Sequence, residues 1–210
     1  MSDSIIPQIP SIPTTAEPVP GTSASSSFSR ALAVSVLIFA VSLTIGWIGT
    51  TQNPEIGEQL LSAFEKDVAG HIAGNNSLEV FTKLFFNNFE ACILLFLGGA
   101  SLGILTIFIL SLNGVVIGSI LEIVAKGHSP AFVAAAIVPH GIFEIPAFII
   151  SCALGILLSQ ALLGEWFGNA DAADIGKRLG LAFIVFVIPL VITAAYVEAF
   201  ITPLVIQLVS

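Results

Sequence analysis

The chain has 210 residues, of which 56% are apolar and only 10% charged, and its formal net charge is -8. A soluble domain carries about 25% charged residues and could not wet its surface with so few. The acidic balance also argues against nucleic-acid binding and against a basic patch for anionic headgroups.

Residues 1–29 hold five prolines (Pro7, Pro10, Pro13, Pro18, Pro20) and a Ser/Thr run from 22 to 29. Such a segment buries too little apolar surface to order itself, so a disordered tail is expected. It lacks the charged start and apolar core of a secretory signal. Arg30 marks the edge of a first span over 31–48, with Trp47 where an interfacial aromatic belongs. Residues 31–48, 91–121 and 179–197 contain no charge at all. Each block reaches the roughly 18–20 residues that cross a bilayer as a helix. Barrel strands would alternate polar and apolar residues, and these blocks do not.

The connection after the first span contains an amphipathic stretch over 55–70. Ile56, Leu60, Leu61, Phe64 and Val68 share one face, suited to the membrane surface or to capping the bundle. Ser77 can cap a helix that enters lipid near Phe85 and runs to Leu112, giving a span over 85–112. Asn113-Gly114 reads as a turn, which leaves a short piece over 114–126. Ser129-Pro130 opens a further helix over 130–163, kinked or broken at Pro139 and Pro146. A last span covers 179–208, with kinks expected at Pro189 and Pro203. The expected fold is an all-α, polytopic transmembrane helical bundle of about five spans. The alternative has four spans and a re-entrant hairpin made of 114–126 and 130–139.

Polar groups at membrane depth are costly, so their presence is informative. Asn87, Asn88, Asn113, Glu122, His140 and Glu144 form the candidate intramembrane polar cluster. His140 and Glu144 are four apart and share a helix face between Pro139 and Pro146. Such a group suits an interhelical clamp, a cation site or a proton relay. Gly99, Gly103, Gly114 and Gly118, at four-residue spacing, suit close helix packing, as Gly141 does beside the prolines. No zinc-protease pattern, Ser/His/Asp order or phosphate loop is visible, so no catalytic residue, metal or cofactor is expected. Cys92 and Cys152 lie in apolar runs and read as small buried hydrophobes.

Phe86-Asn87-Asn88, Gly99, Gly103, Asn113-Gly114 with Gly118, and Pro139-His140-Gly141-x-x-Glu144-x-Pro146-Ala147 together resemble the stage II sporulation protein M family over residues 30–210. The resemblance implies a five-span membrane protein. It also implies a membrane scaffold that works with peptidoglycan-remodelling partners and is not itself the hydrolase. The expectation is therefore a non-enzymatic scaffold or assembly factor in the cell membrane, embedded in the lipid bilayer. It would recruit membrane or cell-envelope proteins, with self-association open. A small transporter or channel using the His/Glu/Asn group is the alternative. Arg30, Lys177 and Arg178 fall on one side of the five-span arrangement, close to their spans, which favours a cytoplasmic N-terminus.

Overall fold

The computed structural model describes residues 20–64 and 77–208, and every regular element in them is helical. In chain order these are α1 (Pro20–Gln52), α2 (Pro54–Phe64), α3 (Ser77–Leu97), a tight 3-10 turn (Gly98–Ser101), α4 (Ile104–Gly127), α5 (Pro130–Trp166) and α6 (Ala172–Ala182). A π-helical stretch (Phe183–Val187), α7 (Ile188–Tyr196), a second π stretch (Val197–Ile201) and α8 (Thr202–Gln207) complete the chain. Five of the described helical segments are long and apolar enough to span: Ser26–Gln52, Ser77–Ser101, Ile104–Gly127, Gly141–Trp166 and Ala172–Gln207. The shortest has 24 residues, or about 36 Å at 1.5 Å per residue, against about 30 Å of hydrocarbon. The long rod of 36 residues exceeds that thickness, so its first turns, with the exposed Asp174–Arg178 ion pair at 2.9 Å, lie outside the lipid.

The packing follows from what lipid withholds. Lipid tails are as apolar as leucine, so helices gain little by hiding apolar side chains from it, and close backbone approach decides which faces meet. α1 and α4 run parallel with their backbones in contact. A Cβ on Gly46 would run into the Val115 carbonyl, and one on Gly118 into the Leu43 carbonyl. Gly114 faces Ser42, where a Cβ would sit 2.8 Å from the serine Cβ. α5 is the central helix and touches α1, α3, α4, α6, α7 and α8. Its middle, from Ala147 and Phe148 through Ser151, Cys152, Ala153 and Leu154, is buried. Gly155 of α5 meets the Leu95 carbonyl, and Gly99 meets the Gly155 carbonyl, so this second seam is also glycine-made. Leu37, Ile104, Phe108 and Phe186 are exposed on the outer surface, as a lipid-facing shell requires.

Three boundaries differ from those read in the sequence. The chain does not turn at Asn113-Gly114; both lie inside α4. Asn113 Nδ2 donates to the Ile109 carbonyl one turn back, 2.9 Å away, so the amide is satisfied within the helix. The turn sits instead at Gly98–Gly103, where Leu102 (φ 57°) and Gly103 (φ 82°) are both left-handed. Ser101 holds it without any charge: its Oγ donates to the Gly98 carbonyl (2.7 Å) and accepts from Leu105 N–H (2.9 Å). The expected spans 85–112 and 114–126 thus become α3 and α4. The re-entrant alternative falls with them, because 114–126 is the second half of one spanning helix.

α5 runs through both Pro139 and Pro146 without a break. Ser129 caps it by accepting from Phe132 N–H at 3.3 Å, with Pro130 at the first position. In the last rod each π stretch contains the residue four before a proline, Val185 for Pro189 and Ala199 for Pro203. A proline supplies no N–H to that carbonyl and crowds it, and widening the turn relieves the clash. α1 begins at Pro20, ten residues before Arg30, so the expected tail is helical from 20 to 29; residues 1–19 lie outside the described residues. The amphipathic stretch 55–70 is helical as α2 to Phe64. Its residues 65–70 and the side chains of Ile56, Leu60, Leu61 and Phe64 lie outside the described residues.

Gly118→Val should be among the most damaging single changes in the spans, since backbone carbonyl, not a flexible side chain, occupies the space. Overpacking costs about 1–3 kcal/mol. Thermal unfolding in detergent should show a clearly lowered midpoint, while Gly49→Ala, whose Cβ meets nothing within 4 Å, leaves it nearly unchanged. Equal midpoints would refute the seam.

Candidate functional site

Depth can be measured along the helices. Arg30 on α1, Gly103 before α4 and Ser159 on α5 lie at one level, because Gly103 faces Ser159 and Arg30 lines a small cavity with Gln160. This is the near edge of the bundle. From it, Ser42 and the facing Asn113-Gly114 are twelve residues deep, about 18 Å, close to mid-membrane. Thr51 is twenty-one residues from Arg30, about 32 Å, which puts it at the far edge.

The six candidate polar residues do not converge on one point. Asn88 is buried on α3, and the exposed Asn87 donates from Nδ2 to Asn88 Oδ1 over 3.4 Å. Four residues on, Cys92 is fully buried beside Ser151 of α5, with Glu144 near it. Glu144 itself is half-buried on α5. Cys152 lies beside Ser35 of α1. Both cysteines are free thiols. Asn113 is occupied within α4. The side chain of His140 lies outside the described residues, and with it the expected His140–Glu144 pairing. Among the described residues no three of His, Cys, Asp and Glu are placed to hold a metal ion.

Glu122 stands apart from the rest. It shares the buried face of α4 with Gly114, Gly118 and Ser119, but it lies at the far edge rather than at depth. It is 3% exposed. Its Oε1 accepts from Lys126 Nζ at 2.7 Å and lies 3.1 Å from Thr51 Oγ1, whose single proton also faces the Trp47 carbonyl at 2.9 Å. α2 closes over this end, for a Cβ on Gly57 would fall between Thr50 and Ile123.

The sequence reading missed the small hydroxyl residues. Thr106 Oγ1 donates to the Leu95 carbonyl across the α3–α4 turn (2.9 Å) and touches both Gly98 and Gly155. Ser119 Oγ donates to the Gly46 carbonyl of α1 over 3.3 Å. The available signal was spacing: Ser119 follows Gly118, and Thr50 and Thr51 fall one turn after Gly46. Gly99 and Gly103 do not share a helix face, since a turn separates them, although both face α5. Gly141 has only one ordinary contact for an added Cβ, with Ile145, so close packing does not require a glycine there.

Five apolar spans joined by glycine seams and short polar bonds define a multi-pass α-helical membrane protein. The model of the family described as Stage II sporulation protein M matches residues 35–203, and the chain belongs to that family. Two relatives from Methanocaldococcus jannaschii are similar along most of their length. The uncharacterized protein MJ0793 is 26% identical over 175 residues, covering 81% of this chain and 92% of the relative. The uncharacterized protein MJ0706 is 27% identical over 175 residues, covering 79% and 78%. No solved structure matches the chain.

Thr106→Val keeps the shape and removes one interhelical hydrogen bond. Such bonds average about 0.6 kcal/mol in membrane proteins. The unfolding midpoint should fall measurably, but less than for Gly118→Val. A larger loss than the glycine variant would show that polar bonds, not backbone contact, dominate the packing.

Proposed function

We propose that this chain is a non-enzymatic scaffold or assembly factor that gathers partner proteins at the cell membrane. Membership of the stage II sporulation protein M family over residues 35–203 carries the reading. The interior chemistry supports it: Thr106 and Ser119 bond to carbonyls of neighbouring helices and so hold the bundle together. Purification of the full chain in mild detergent should recover a stable protein partner or a homo-oligomer. Recovery of a bare monomer under every mild condition would count against a scaffold.

The same proposal sets the N-terminus in the cytoplasm. Odd span number puts the two termini on opposite sides, with Arg30, Lys177 and Arg178 on the N-terminal side near their spans. A membrane-impermeant maleimide applied to intact cells should leave a cysteine placed at Asn169 unmodified and label one placed at Gln207. The reverse pattern inverts the orientation.

A further inference from the structure

We infer that the far end of α1 and α4 forms a binding site for a small monovalent cation, centred on the Glu122 carboxylate, where the ion competes with Lys126. Two observations carry it. Among the described residues, Glu122 Oε2 and Thr50 Oγ1 are both buried without a hydrogen-bond partner, and both residues are almost wholly enclosed, at 3% and 1% exposure. A carboxylate oxygen only accepts, so its missing partner must be a donor or a cation. Leaving such an oxygen bare inside protein is costly.

The surroundings select the class of ligand. Thr51 Oγ1 lies 3.1 Å from Glu122 Oε1, and the neighbours in sequence of these two residues, Thr50 and Ile123, lie together under Gly57 of α2, so both residues with bare oxygens belong to the same α1–α4 contact. α1 ends at Gln52, and the last helical-type bond there runs from Asn53 N–H to the Gly49 carbonyl at 2.9 Å. The next carbonyl, that of Thr50, would need an N–H from residue 54, which is Pro54 and has none. The negative end of the α1 dipole therefore points a carbonyl at the same end of the bundle. Carboxylate, hydroxyl and carbonyl are hard oxygen donors, unlike the nitrogen and sulfur sets that hold zinc. One carboxylate, freed as the ammonium gives way, suits a single positive charge rather than a divalent ion that demands six or more oxygens.

Lys126 makes the site competitive. Its ammonium lies 2.7 Å from Glu122 Oε1 while its side chain is 54% exposed, so it can leave the carboxylate for water or headgroups when an ion arrives. α2, packed over the site through Gly57, is the element that would sense occupancy.

The test uses the full chain in neutral detergent. Its unfolding midpoint is followed in sodium, potassium and N-methylglucamine chloride at constant ionic strength. Sodium or potassium should raise the midpoint saturably over N-methylglucamine. Lys126→Gln should shift half-saturation to lower ion concentration, because the internal competitor is gone. Glu122→Gln should abolish the response, and the exposed Glu55→Gln should retain it. If Glu122→Gln fails to fold, the isosteric Thr50→Val should raise the half-saturating concentration. Equal midpoints in all three salts for both wild type and Lys126→Gln overturn the proposal. So does a wild-type response in Glu122→Gln or an unshifted half-saturation in Thr50→Val.

Discussion

Hydrocarbon offers the backbone no hydrogen bonds, and it offers apolar side chains nothing they lack on the bundle surface. The first fact makes every uncharged block helical. The second leaves association between helices to close contact, which only residues without bulk permit. Gly46, Gly114 and Gly118 in one seam, and Gly99 and Gly155 in the other, meet this demand. Their partners are carbonyl groups and small side chains, so the seams fix register as well as distance. A methyl group added at Gly118 must displace backbone, whereas the bond from Thr106 to Leu95 can be lost with the fold intact.

This hierarchy explains the arrangement of polar groups. Thr106, Ser119, Ser151 and Ser159 sit along or beside the glycine seams. Close approach brings the Leu95 and Gly46 carbonyls within reach of Thr106 and Ser119, while Ser151 and Ser159 bond carbonyls of their own helix. Asn113 bonds its own helix, and Glu122 waits at the far edge, where an exposed lysine can balance it. α5 binds the assembly together because its buried Ala147–Leu154 stretch carries small residues on several faces at once.

The number of spans was legible in the sequence because long uncharged blocks must cross lipid as helices, although the bounds of two of them were not. Turns were less so. Asn113-Gly114 has the chemistry of a turn in water, but inside lipid an asparagine can bond back to its helix and a glycine serves contact. Gly98–Gly103 looked like a packing face, since a turn packed among helices needs no charge when one serine satisfies it. The polar residues stand out in the sequence, yet their partners depend on the parallel register of α1 with α4 and of α3 with α5. No local pattern encodes that register. Thr50 and Thr51 gain meaning only once Glu122 is placed beside them.

Hydrogen–deuterium exchange of the full chain in lipid nanodiscs tests the central claim most directly, by asking where lipid-enclosed helices begin and end. Protection should run unbroken from Ile107 through Asn113 and Gly114 to Leu121, with faster exchange at the Gly127–Ser129 connection. Rapid exchange at Asn113-Gly114, between two protected blocks, would contradict it.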